Sequence, residues 1–148
     1  MIDKLKQEII EILQQNQLGH IAFSGPDGPW ASAVRYMSVV LTLYLIEPSA
    51  SDLVFYVETN FLAVFTISVR NREISSMEHL RQNIQIFGTA KVVTRQKLAA
   101  EPKEIQNAYA LKNRQVPGVY VVIKIEPRRI YRVVHDNGVT RRDTLDIE

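Results

Sequence analysis

The sequence contains no cysteine, which removes disulfide staples, thiolate nucleophiles and zinc–sulfur sites and fits a reducing compartment such as the cytoplasm. It also lacks a long apolar run. The longest, Val39 to Ile46, is broken by Thr42 and falls well short of the ~18 residues needed for a helical membrane span. Met1-Ile-Asp-Lys-Leu-Lys6 does not begin a signal peptide. Charge of one sign is nearly absent in net terms, since 18 Lys and Arg against 16 Asp and Glu leave +2; neither nucleic acid nor a membrane surface is implied as a partner. His20, His79 and His135 are dispersed without metal-ligand spacing, so no metal site is expected. Ser24 precedes a glycine but has no Gly-x-Ser-x-Gly elbow around it, and no carboxylate pair suggests glycoside chemistry, so hydrolase readings fall away.

What is present is an ordinary globular composition, 46% hydrophobic and 23% charged over 148 residues, enough for one domain spanning 1–148. Ile2, Leu5, Ile9, Ile12 and Leu13 recur at helical spacing, predicting a helix over 2–17 stopped by Gly19. A strand over 21–24, the turn Gly25-Pro-Asp-Gly-Pro29 and a long strand over 30–46 form a hairpin. After the turn cluster at 47–52, Leu53-Val-Phe-Tyr-Val57 is β-branched and aromatic and predicts another strand. Residues 60–69 fit two periods: Phe61, Val64, Phe65 and Ser68 make a helix face, while Phe61, Ala63, Phe65, Ile67 and Val69 alternate as in a strand.

Residues 73–79 and 84–93 read as a hairpin, and 96–112 as helical with Pro102 near its start. Strands over 119–125 and 129–134 flank Glu126-Pro127, and Asp136-Asn-Gly138 turns into a short tail strand. Many strands joined by short turns, with few helices, predict a mainly β (α+β) fold, an antiparallel sheet closed into a small barrel with peripheral helices.

Arg35 is the only Lys or Arg between Lys6 and Arg70 and lies inside a strand-like stretch. Its neighbours leave two readings: a salt bridge to Glu47, Asp52 or Glu58 or a solvated side chain on one hand, and an anion site on the other. A guanidinium held on a strand offers a planar fork of donors matched to phosphate.

The order of helix, Gly19-His-Ile-Ala22, Gly25-Pro-Asp-Gly-Pro29, Ser32-Ala-Val-Arg-Tyr-Met37, Leu53-Val-Phe-Tyr56, Thr59, Asn71-Arg-Glu-Ile-Ser75, Gln85-Ile-Phe-Gly-Thr-Ala-Lys-Val-Val93 and Ile125-Glu-Pro-Arg-Arg-Ile-Tyr131 resembles the pyridoxamine 5′-phosphate oxidase-like, FMN-binding split-barrel family along nearly the whole chain. The resemblance implies a small antiparallel split β-barrel with peripheral helices. It selects the helical reading of 60–69, as a short helix beside the flavin. It implies FMN at the interface of a homodimer, with the phosphate on Arg35 and the ring and ribityl chain along Tyr36, Met37, Ser38, Tyr56 and Thr59, joined by Gln82 and Gln85. The family's Ser-x-Lys after Thr59 has no counterpart, because Phe61-Leu-Ala-Val-Phe65 contains no base. The C-terminal Arg and Trp features of the true pyridoxamine-phosphate oxidases are also missing.

Two classes of function follow from the resemblance. One is a flavin-dependent oxidoreductase acting on a small molecule, in which the cofactor carries the redox chemistry and no catalytic side chain is demanded. The other is a non-catalytic flavin-, haem- or deazaflavin-binding module, or a split-barrel dimer that has lost its cofactor.

Overall fold

The structure is a computed structural model that describes residues 2–25, 28–60, 62–69, 80–116 and 118–147. Helix α1, Ile2–Gln15, is followed by β1 (Leu18–Gly25), β2 (Gly28–Arg35), β3 (Met37–Val39) and β4 (Thr42–Pro48). Helix α2 (Asp52–Thr59) leads to β5 (Leu62–Val69) and β6 (Leu80–Val93); a 3₁₀ turn at Leu98–Ala100 and helix α3 (Lys103–Gln115) precede β7 (Tyr120–Asp136) and β8 (Val139–Asp146). The expected hairpin arm at 73–79 and Phe61 lie outside the described residues.

All strands pair antiparallel in one sheet of order β2-β1-β5-β6-β7-β4-β3, with β8 added to β7. β2 and β3 thus stand at opposite ends of the sheet, yet a single residue, Tyr36, separates them in the chain. Only a sheet curled until its edges meet satisfies both facts, so connectivity alone makes this a barrel. Tyr36 holds the seam: its N–H donates to the Gln17 carbonyl at 2.9 Å, and its hydroxyl donates to the Leu13 carbonyl at 2.8 Å. Its ring meets Phe65 edge-on at 5.5 Å.

The inner face of the sheet follows the period of two. Ile21 and Phe23 of β1, Ala63, Phe65 and Ile67 of β5, and Ile84 and Ile86 of β6 are buried in one core with Ile9 and Leu13 of α1. A second, smaller core on the outer face joins Tyr44, Val93 and Val122 to Ile105 of α3. β7 is long enough to serve two partners on one edge: its first half pairs with β4 and its second half with β8, while β6 runs along the other edge. The change of partner coincides with a register shift between Phe87 and Gly88, a bulge that leaves Arg128 unopposed. Gly88 is required there, because a Cβ would stand 2.3 Å from the Glu126 carbonyl oxygen.

Two expectations are corrected together. Residues 53–57 form a helix rather than a strand: Ser51 caps α2, its Oγ accepting from the Val54 N–H at 3.3 Å, and Leu53, Val54 and Val57 are buried at helical spacing. Residues 62–69 are a strand rather than the helix the resemblance selected, with Ala63, Phe65 and Ile67 alternating inward. The run 30–46 is also not one strand, since it breaks at Tyr36 and reverses at Val40-Leu41. Val40 takes a left-handed backbone with φ 56°, a conformation that a β-branched residue rarely adopts. The predicted strands over 119–125 and 129–134 are halves of the single β7.

Replacing Tyr36 with Phe should leave the Leu13 carbonyl unpaired in the core and lower stability by about 1–2 kcal/mol in urea unfolding. Burial holds the Tyr36 phenol above its ordinary value, so the folded chain keeps that proton more tightly than the unfolded chain. The linked stability is complete below about pH 10 and falls as pH rises above it. Tyr36→Phe should flatten that alkaline loss; an unchanged pH profile would remove Tyr36 from this role.

Candidate functional site

The residues expected to gather around a flavin divide according to how the strands alternate. Arg35 and Met37 sit on either side of Tyr36 and are both exposed, while Tyr36, 4% exposed, turns inward. Arg35 ends β2 opposite Leu18, itself 57% exposed. Among the described residues the Arg35 side chain makes no hydrogen bond or ion pair; Glu47, Asp52 and Glu58 do not engage it. An unpaired guanidinium between two exposed apolar side chains at the barrel seam has the donor chemistry for a phosphate or carboxylate. Ser38, half-buried, pairs across the β3–β4 turn with Leu43.

Tyr56 and Thr59 lie on α2, and both have partners within the fold. The Tyr56 ring stacks on Trp30 at 4.9 Å and 19°, and on Phe23 at 6.4 Å and 16°. The Thr59 hydroxyl donates to the carbonyls of Phe55 at 3.0 Å and Tyr56 at 3.3 Å. Gln82 and Gln85 stand three apart on β6 and so face opposite sides of the sheet. Gln85 shares the outer face with Arg35, but β1 and β5 intervene, a lateral separation of roughly 14 Å at the usual strand spacing. One protomer therefore does not bring the eight residues into a single pocket. The helix that follows the first four strands is α2, and its sequence, Asp52-Leu-Val-Phe-Tyr-Val-Glu-Thr59, carries no Lys or Arg. A phosphate at the seam would rely on Arg35 without a helix base.

Sequence reasoning missed a polar cluster on the outer face. The Tyr44 hydroxyl donates to Glu101 at 2.8 Å, the Lys124 ammonium lies 3.0 Å from Glu101 and 3.8 Å from Glu126, and Lys91 pairs with Glu126 at 3.1 Å. Tyr44, Lys91 and Lys124 share one cross-strand row, a juxtaposition that pairing creates and linear spacing hides. Burial, and then the hydrogen bond to Glu101, push the Tyr44 phenol upward. Burial would also raise Glu101, but the hydrogen bonds from Tyr44 and Lys124 outweigh it and hold the carboxyl below its usual value. With every member partnered, this cluster ties the turn before α3 to the sheet. Glu47, at the end of β4, is pushed up by burial, which outweighs the attraction of Lys112. Among the described residues no group of three or more His, Asp or Glu could hold a metal ion.

No protein-family model matches the chain, and no curated protein does. Solved structures do match. A protein related to general stress protein 26, of the pyridoxinephosphate oxidase family, from Clostridium acetobutylicum superimposes with a TM-score of 0.64 at 13% identity, covering 98% of this chain and 96% of that one. The chain has the split-barrel fold of such proteins. A heme binding protein from Mycobacterium smegmatis gives a TM-score of 0.73 at 20% identity over 95% of this chain, which spans 57% of the length of that structure. An FAD-binding protein from Mesorhizobium loti gives 0.67 at 11% identity over 95% and 93% of the two chains. The mainly β split barrel with peripheral helices, expected from the resemblance, is what the structure contains. Among the described residues no helix is long and apolar enough to cross a membrane.

Because Glu101 titrates below its usual value when folded, its contribution to stability is present above about pH 4.5 and is lost as pH falls through the lowered value. Glu101→Gln should shrink the loss of stability measured by urea unfolding between about pH 5 and pH 3. A variant with the wild-type acid slope would show that Tyr44 and Lys124 do not hold the Glu101 carboxyl below its usual value.

Proposed function

We propose that the chain is a flavin-binding split-barrel protein that binds FMN through its phosphate at Arg35, works as a homodimer, and acts as an oxidoreductase on a small molecule in the cytoplasm. The observation that carries the reading is Arg35 itself, an unpaired and exposed guanidinium at the barrel seam. The fold supports a flavin, since solved structures that share it include FAD-binding proteins. The fit is good at the phosphate end and incomplete around the ring. Met37 and Ser38 are available beside Arg35, whereas Tyr36, Tyr56 and Thr59 are occupied within the fold, so a second protomer has to supply the remaining contacts.

Exposed Leu18 and Met37, respectively 57% and 37% accessible, provide apolar surface beside Arg35 for a second copy to cover. A bound flavin would supply acceptance of a hydride or an electron pair. This chain's own part is to anchor the phosphate and to exclude water from the ring. The absorbance spectrum of freshly purified protein tests the reading: flavin bands support it, a Soret band favours the haem-binding alternative, and neither would mark a barrel without cofactor.

Arg35→Ala should weaken FMN binding about tenfold to a hundredfold, the worth of one charge-assisted phosphate contact. Riboflavin, which lacks the phosphate, should bind both proteins alike. Lysine at the position should recover part of the loss, as a point charge in place of a fork. Equal weakening of FMN and riboflavin, or of neither, would move the phosphate elsewhere. Light scattering should give about twice the 17.0 kDa chain mass, and a monomer at micromolar concentration would remove the interfacial site.

A further inference from the structure

On the outer face of β1, β5 and β6 lies a groove of about 480 Å³ whose lining includes Ala22, Ser24, Leu62, Val64, Phe87 and, at one end, Arg128, and no residue of α1, α2 or α3. This volume lies in the range of small-molecule sites. Val64 pairs with both Ala22 and Phe87 across the ladders, so their side chains form one apolar row on the same face. Leu62 is 55% and Phe87 39% exposed. Arg128 also lines a second, polar cavity with Thr42, Thr89, Lys124 and Glu126.

Arg128 is the residue that the Phe87/Gly88 register shift leaves unopposed in the β6–β7 ladder, and its carbonyl accepts the Ile147 N–H at 2.9 Å. Its backbone is therefore tied down by the sheet while its side chain is free. The neighbouring cations are all engaged: Arg129 with Asp146, Arg132 with Glu8 and Asp143, Lys124 with Glu101, and Lys91 with Glu126. Among the described residues the Arg128 side chain makes no ion pair or hydrogen bond, and no carboxylate lines the apolar groove. The groove is thus an apolar trough with one uncompensated cation at its end.

We propose that this groove binds a small organic anion with an apolar body, its anionic head held by the Arg128 guanidinium and its body laid along Ala22, Val64 and Phe87. The site is separate from the seam: Leu18, the partner of Arg35, precedes Ala22 by four residues on β1, roughly 13 Å along the strand. The ligand class follows from charge and polarity alone. A neutral apolar molecule would leave the guanidinium without a partner, and a small inorganic anion would leave the trough empty.

The test uses two fluorescent dyes that share an aromatic body, 8-anilinonaphthalene-1-sulfonate and the uncharged N-phenyl-1-naphthylamine. Both should bind the wild-type chain. Arg128→Gln should weaken the sulfonate at least tenfold and leave the neutral dye unchanged, Arg128→Lys should retain part of the sulfonate affinity, and Leu62→Ser should weaken both dyes. Arg35→Gln should alter neither, which separates this site from the proposed flavin site. Circular dichroism of each variant checks that the fold is kept. The proposal is overturned if Arg128→Gln affects both dyes equally or neither. It is also overturned if wild-type uptake of both dyes disappears as light scattering shows a dimer forming, since a second copy then covers the groove.

Discussion

The barrel depends on closure at one residue. The chain leaves the sheet at the end of β2 and re-enters it at β3 on the far edge, with only Tyr36 between them. That residue must be buried to join the two edges, and a buried phenol needs an acceptor. The Leu13 carbonyl near the end of α1 provides it, so the first helix is fastened where the barrel shuts. The alternation of the backbone then decides what surrounds the seam: when residue 36 points in, residues 35 and 37 point out. The exposure of Arg35 and Met37 is the geometric counterpart of the burial of Tyr36.

The same alternation explains how much of the candidate site could be read in the sequence. Arg35 stood out because its isolation is a property of linear order, and the structure leaves it unpaired. Tyr36, Tyr56, Thr59, Gln82 and Gln85 came from a resemblance to a family, and resemblance carries no information about which face a side chain takes in this chain. Gln82 and Gln85 lie on opposite sides of one strand for the simple reason that three is odd. Arg128 was legible only as part of a basic cluster, because its distinction arises from a bulge and from partners that neighbouring arginines find on β8 and α1.

For the fold, α1 and the Asp136-Asn-Gly138 turn were legible because period and turn chemistry agree with the tertiary outcome. The α2 and β5 assignments failed together. Leu53-Val-Phe-Tyr-Val57 has strand composition, yet the Ser51 cap and the burial of Leu53, Val54 and Val57 at helical spacing prevail over composition. Once that segment is a helix, 62–69 is released to its own alternation, which had favoured a strand as much as a helix. The Val40-Leu41 reversal has no residue type that marks a turn, and the chain accepts a left-handed valine to make it. Pro127 looked like a break between two strands, but it sits where β7 changes partners and forgoes little by lacking an N–H.

The pairing of β4 with β7 bears on how the chain is made. Leu43 sits opposite Ile125, some eighty residues later in synthesis. Until that strand emerges, β4 has only the short β3 beside it, and its run Leu43-Tyr-Leu-Ile46 presents an unpaired, uncharged edge. Such an edge invites pairing with the wrong neighbour. The interval between synthesis of the fourth strand and the seventh is the period in which this chain has most need of a chaperone or of dilution.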